Sequence, residues 1–271
     1  PLFKFYLKRQ FRPLWYNKTE KLEQLSEAIV VGGQHGLPVS RYSIPLEITE
    51  TGPYEFEVLV FKSFFKLASD MHSGVVQPNE IDPAISVFPE VLIFEDLMNR
   101  VVSFGSNWNV MEVVTSFAPN NLEYQRLRDE LARLKTFADG YGWGDKVPDD
   151  VFLGYKLIHP NVAKLRSRLF HMGYLTYDAH SELYDAELKS AVQLFQSDHG
   201  LNDDGVAGSY TLEAVNVSPE TRLIQVLVNL ERMRWRDYRT DSKYIVVNQP
   251  NFHAYLYEND NIIWQSRVVI G

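Results

Sequence analysis

The sequence predicts an α+β protein of several domains, and three observations lead there. Apolar residues recur at a helical period through roughly the first 155 positions. A tighter helical pattern with glycine-marked turns fills about 160–217. After Trp235 the period drops from about 3.6 to 2, the alternation of half-buried strands. The expected layout is a mostly helical domain over residues 1–155 with a linker at 138–154, then a three-helix unit over 156–217. Residues 218–271 are expected to hold a connecting helix and the first strands of a truncated β-domain.

In the first domain, Asn17 and Glu20 stand three apart ahead of Leu22, Leu25 and Ile29, the pattern of a capping box opening an amphipathic helix. Gly32, Gly33 and Gly36 are expected to stop it. Phe56, Leu59, Val60, Phe64, Leu67, Ala68 and Met71 share one stripe of a second helix, ended by Gly74. Val91–Phe117 fits either helix or buried strand. Asn120 and Glu123 repeat the capping-box spacing ahead of Leu127, Leu131 and Leu134, and Gly140 follows. Ala138–Gly154 carries four Gly, four Asp and one Pro in 17 positions, the composition of a linker. Tyr141 and Trp143 are expected to pack it on a domain edge.

In the three-helix unit, Val162, Leu165, Leu169 and Met172 line the first helix up to Gly173. Leu188, Val192 and Phe195 line the second up to Gly200, and Leu212 and Val215 face inward on a short third after Gly208. Ser218-Pro219 opens the connecting helix, with Ser as N-cap and Pro at its first position. Leu223, Leu227 and Leu230 follow on it, and its charged end, Glu231, Arg232 and Arg234, is expected to be a solvated face with i, i+3 pairing, the alternative being that it docks the helix onto the sheet that follows. Lys243–Asn248 forms a strand. Phe252, Ala254 and Leu256 then alternate with His253, Tyr255 and Tyr257, Glu258–Asn261 is a turn, and Ile262–Ile270 is another strand.

Composition narrows the chemistry. Hydrophobic residues make up 45% of the 271 and aromatics 13%, enough for packed cores. The balance of 27 basic and 35 acidic residues gives −8, which argues against a dedicated nucleic-acid binder. No apolar run approaches the ~20 residues of a membrane span, since Glu57, Lys62, Lys66 and Asp70 interrupt Phe56–Met71. There is no Cys, so this chain holds no disulfide, zinc–thiolate site or cysteine nucleophile. The seven His show no metal-binding spacing, and no metal or cofactor is expected. Asn202-Asp203-Asp204-Gly205 lacks the alternating acids and terminal Glu of a calcium loop and is expected to be a turn. Asp145, Asp149 and Asp150 lie in the flexible stretch, whereas a glycosidase carboxylate pair must be held rigidly. The start at Pro1 fits a processed N-terminus, and a strand ending at Gly271 is expected to be a truncation.

The most specific pattern is Ala191-Val192-Gln193-Leu194-Phe195-Gln196, Gly200-Leu201, Asp204-Gly205-Val206-Ala207-Gly208, Thr211 and Ala214-Val215. Val192 and Phe195 are core positions, Gly205 and Gly208 allow left-handed turns, Asp204 accepts N–H bonds inside the turn, and Thr211 stands in the next helix's first turn. Phe195, Gln196, Asp204, Gly205, Gly208 and Thr211 are the candidate site residues. The pattern resembles the three-helix peptidoglycan-binding domain of cell-wall enzymes over roughly residues 160–217.

A second pattern is Asn229-Leu230-Glu231-Arg232-Met233-Arg234-Trp235, then Tyr244-Ile245-Val246-Val247-Asn248, Pro250, Phe252, Leu256 and Tyr257. It resembles the entrance to the YkuD-type catalytic domain of the large L,D-transpeptidases of Gram-negative bacteria. Their order is also similar: a helical scaffold domain, a peptidoglycan-binding-like domain, then the catalytic β-domain. Arg12-Pro13-Leu14-Trp15 ahead of a helix and His35-Gly36-Leu37 after it fit the scaffold.

The resemblance implies a periplasmic enzyme of cell-wall biogenesis and cell shape, with peptidoglycan stem peptides and glycan as partners. In that family a Cys thiolate attacks the stem peptide and a His activates it. The family's Ser-His-Gly-Cys signature lies downstream of the hairpin, so the catalytic residues are expected outside this chain and this chain alone is expected to be inactive. His253 sits on an early strand and is expected to be a surface or packing histidine. Residues 243–271 are expected either to be poorly ordered or to be completed by pairing with the remainder of the catalytic domain. Two alternatives are a non-enzymatic wall-binding adaptor and a wall hydrolase carrying the same module.

Overall fold

The computed structural model describes residues 2–45, 52–83, 85, 87–140, 142–235, 242–249, 252–259 and 261–269. Their contacts form two compact units. One comprises Pro1–Ala132, Val226–Tyr244 and Glu258–Asn261; the other comprises Arg133–Gln225, Ile245–Tyr257 and Ile262–Gly271. The protein is α+β, with eleven helices and a three-stranded antiparallel sheet among the described residues.

The first unit holds α1 (Leu2–Lys8), α2 (Thr19–Gln34), α3 (Gly52–Ser73), α4 (Pro78–Ile81), α5 (Phe94–Ser103) and α6 (Val110–Thr115). Residues up to Ala132 of α7 (Leu122–Ala138) and from Val226 of α11 (Pro219–Arg234) also belong to it. Phe56, Val60, Phe64, Leu67, Ala68 and Met71 of α3 are buried in one core with Leu25 and Trp15. Trp15 packs on Phe64 at 5.2 Å and edge-on to Trp108 at 6.3 Å. Val91–Phe117 is helical rather than extended, carrying α5 and α6, and the Asn109 side chain caps α6 by accepting from the Met111 and Glu112 amides.

Two charged residues of α3, Glu57 and Asp70, are buried on hydrogen-bonded partners. Glu57 accepts from the Tyr6 hydroxyl (2.6 Å) and from the amides of Leu14, Trp15 (3.0 Å) and Tyr16 (2.8 Å), fixing the turn ahead of α2. Asp70 accepts from the Tyr42 hydroxyl (2.8 Å) and from Arg41 Nε (3.1 Å). Burial, with each carboxylate adding to it, pushes both tyrosine hydroxyls well above the ordinary phenol range.

Three sequence expectations change here. Asn17 does not cap α2: it stands before Lys18 at φ +57, in a turn closed by Lys18 N–H to Trp15 O (3.0 Å), a left-handed conformation that Asn tolerates. Gly32 and Gly33 lie inside α2, which ends at His35 and the left-handed Gly36. For α7 the cap is Asn121, not Asn120; its Oδ1 accepts from the Tyr124 amide at 2.8 Å.

The second unit holds the rest of α7 and α11 with α8 (Pro160–His171), α9 (Ala186–Asp198) and α10 (Ser209–Asn216). Leu165, Leu169, Val192, Phe195 and Leu212 are buried in one core with Val147 and Leu153. The stretch with linker composition is thus packed at several points. Trp143 is buried, and the Asn216 side chain pairs with both the Val147 N–H (3.0 Å) and its carbonyl (2.6 Å). Tyr141 lies outside the described residues.

The sheet runs β1 (Lys243–Asn248), β2 (His253–Glu258), β3 (Asn261–Arg267) in that order. Ala254 is its buried residue, and Ile245, Val247, Ile263 and Trp264 are about half exposed or more. His253 stacks against Tyr255 at 6.0 Å on one face of β2. Phe252, expected inside this strand, precedes it at φ +55, where its carbonyl accepts from Val268 N–H (2.8 Å). Pro250, Asp260, Ile270 and Gly271 lie outside the described residues. Among those described, no helix is long and apolar enough to cross a membrane.

Candidate functional site

The six candidate residues come together at the turn between α9 and α10, within the second unit. Gln196, on the last turn of α9, organises them. Its Nε2 donates to Val206 O (2.9 Å), Thr211 Oγ1 (3.0 Å) and Asp204 Oδ1 (3.3 Å), and its Oε1 accepts from Gly205 N–H (2.9 Å). The donors and acceptors fix the amide's orientation. Asp204 accepts from Val206 N–H (2.9 Å) and Asn202 Nδ2 (2.9 Å). These bonds, the Val206 amide first, hold its carboxyl below the usual range, so it remains ionised at neutral pH.

Gly205 needs to be glycine for two reasons. Its φ is +73, and a Cβ there would run into the Lys189 and Gln193 side chains of α9. Gly208 has a different role from the left-handed turn expected of it. It is the N-cap of α10 with extended backbone, and the Phe152 ring lies 3.7 Å from where its Cβ would stand. Phe195 is buried, stacked on His199 at 3.9 Å and edge-on to Tyr174 at 5.3 Å. Burial holds the His199 imidazole below its usual pKa.

Sequence reasoning missed the other side of this turn. Tyr184 is fully buried, and its hydroxyl donates to Gly205 O at 2.9 Å. Its backbone accepts from Lys156 N–H (2.8 Å) and donates to Leu157 O (2.8 Å), and Leu153 and Ala207 exchange both backbone bonds (2.9 and 3.2 Å). The 153–157 segment and the 204–208 turn are therefore tied together through Tyr184. Buried Arg166 donates to Asp185 Oδ2 (2.6 Å) and Leu183 O (3.3 Å), while Asp185 Oδ1 caps α9 through the Leu188 amide (2.9 Å). Nearby, a shallow cleft of about 530 Å³ is lined by Lys146–Asp149, Glu213, Asn216 and Val217. Among the described residues there is no cluster of three or more His, Cys, Asp or Glu able to hold a metal ion.

Phe195, Gln196, Gly205 and Thr211 are all buried, so what this arrangement does chemically is to build a rigid, hydrogen-bonded turn; it presents no nucleophile. Two family models match. Residues 1–131 match the Scaffold domain, and residues 158–215 match the family described as Putative peptidoglycan binding domain. No curated protein matches the chain. The second match spans α8 to α10 and contains all six candidate residues, and it supports peptidoglycan as the partner of this part of the chain.

In the first unit, the charged end of α11 is only in part the solvated face expected from sequence: Arg232 is exposed and Glu231 pairs with Arg234 at the i, i+3 spacing (3.3 Å), but Arg234 is enclosed. Arg234 donates to His35 O and to the Tyr124 hydroxyl (2.9 Å). The Tyr124 hydroxyl also pairs with His35 Nδ1 at 3.0 Å. Glu231 accepts from the Val75 (2.6 Å) and Val76 (2.9 Å) amides just past Gly74. Gly74 is left-handed at φ +85, and a Cβ on it would collide with the Glu231 carboxylate.

Proposed function

We propose that this chain is the scaffold and wall-binding portion of a periplasmic L,D-transpeptidase that cross-links peptidoglycan stem peptides through a cysteine thioacyl-enzyme. The nucleophilic Cys and its activating His belong to sequence outside this chain. The observation that carries the reading is the order of parts: a Scaffold match, a peptidoglycan-binding match, then α11 with its Asn229–Trp235 sequence and an antiparallel sheet beginning at Lys243. The Asn229–Trp235 helix followed by period-2 strands favours this reading over a hydrolase carrying the same module.

In this reading the chain's own residues bind and position. The turn clasped by Gln196 and Tyr184 gives the wall-binding module a fixed surface. Glu231 and Arg234 hold the end of α11 against the α2 and α3 termini within the first unit. The test uses the gene product read beyond Gly271. The expected result is a downstream Ser-His-Gly-Cys and, with tetrapeptide-stem muropeptides, cross-linked product that disappears when that Cys is replaced. Released sugars or shortened stems without cross-links would identify a hydrolase instead. A product lacking any Cys would leave the adaptor.

A further inference from the structure

Phe195, Gln196, Gly205 and Thr211 are buried, so other side chains must meet a ligand. The turn they build carries an exposed face. Gly154 O accepts from Leu157 N–H (3.1 Å), closing a turn with Tyr155 and Lys156 at its centre. Lys156 occupies the third position at φ +70, where glycine is the usual residue. A lysine kept in a left-handed backbone conformation points to a need for its side chain. Its ammonium lies 5.4 Å from the Tyr155 ring centroid, and that of Lys189, on α9, lies 5.8 Å from the same ring. Tyr155 is half exposed, and Phe152, against Gly208, is 72% exposed.

The charge of this face is set by who is already engaged. The carboxylates of Asp185 and Glu187 at the start of α9 face the buried Arg166 guanidinium at 2.6 and 3.8 Å, and that of exposed Asp204 accepts from the Val206 amide and Asn202 Nδ2. Among the described residues, Lys156 and Lys189 are in no ion pair. A chain of net charge −8 thus offers two ammonium groups around one exposed aromatic ring.

We propose that this face, Phe152, Tyr155, Lys156 and Lys189, is where the module contacts peptidoglycan, with sugar rings on the aromatic faces and stem-peptide carboxylates on the two ammonium groups. This rests on reading residues 158–215 as a peptidoglycan-associated module. The chemistry matches: an aromatic ring offers a broad apolar face at little conformational cost, and two cations on one ring suit a polymer whose peptides carry free carboxylates. The tie through Tyr184 holds the face in place before binding.

The test is co-sedimentation of the full chain with purified insoluble peptidoglycan. Lys156→Gly is the sharpest variant, because it relieves the backbone at φ +70: its melting temperature should be equal or higher while binding weakens. Tyr155→Ala and Lys189→Glu should each weaken binding by about tenfold, and added salt should weaken the wild type more than Lys189→Glu. Glycan strands stripped of their stems should bind less well than the intact polymer; equal binding would remove the role given to the lysines. Wild-type chain that sediments together with unaffected variants would overturn this face and leave the module reading standing. Wild-type chain that stays in solution would overturn both.

Discussion

Replacing Gln196 with alanine removes an amide shared by three acceptors and one donor. A buried polar group left without its partner costs about 1–3 kcal/mol, and the Gly205 amide and Thr211 hydroxyl stay enclosed. Gln196→Ala should therefore destabilise the second unit by about 2–4 kcal/mol, read from urea unfolding followed by Trp143 fluorescence. His35 gives a second residue-scale prediction. Burial, reinforced by Arg128 and Arg234, pushes its imidazole down to about 3, whereas an unfolded histidine titrates near ~6.5. Between those values the unfolded state binds the extra proton, so the neutral-His contribution is complete above about 6.5 and is lost as pH falls toward 3. The slope from this residue reaches about 1.4 kcal/mol per pH unit. Urea midpoints at pH 7 and 4.5 should fall less for His35→Gln than for the wild type; equal losses would refute the assignment. The motif's Gly, Asp and Gln are visible in the sequence because a tight turn demands those residue types. Tyr184 is not, because it reaches Gly205 only through the tertiary fold.

Among the elements, α9 depends on Asp185 twice, as N-cap for the Leu188 amide and as partner of buried Arg166. Asp185→Ala loses a cap worth about 0.5–2 kcal/mol and strands part of an enclosed guanidinium. Asp185→Asn keeps the cap oxygen and should be intermediate, with thermal melts ranking wild type above Asn above Ala. An Asn variant as unstable as Ala would show that the ion pair matters and the cap does not. Helix faces are legible from periodicity, as Leu165, Leu169, Val192 and Phe195 illustrate. Helix starts are less so. Neighbouring Asn120 and Asn121 are equally good cap residues by type, and only the backbone path selects the second. Glu57 and Asp70 fall on α3 like ordinary solvent-facing charges, and nothing local marks the amides and hydroxyls that surround them.

At the scale of the whole molecule, the first unit is discontinuous. It needs Leu227, Leu230, Glu231 and Arg234 from near the far end of the chain, and no local pattern announces this. A chain stopped at Gln225 would lack the Glu231 acceptor for Val75 and Val76 and the Arg234 donor to His35 O. In such a chain, amides of α2, α3 and α7 should exchange hydrogen faster, while those of α8 to α10, whose core is made without α11 beyond Gln225, should be unchanged. Uniform protection throughout would show that the α11 contacts are dispensable.

The bond from Arg234 to His35 O spans 199 residues, and this orders events during synthesis. The N-terminal helices leave the ribosome first, yet their last buried partner is made only when the chain has grown past Arg234. Closing so long a loop is slow compared with forming local contacts. The module around Gln196, whose bonds span 15 residues or fewer, has every partner available well before that. The N-terminal helices are thus made before the module yet finished after it, and until Arg234 arrives they wait with an incomplete core.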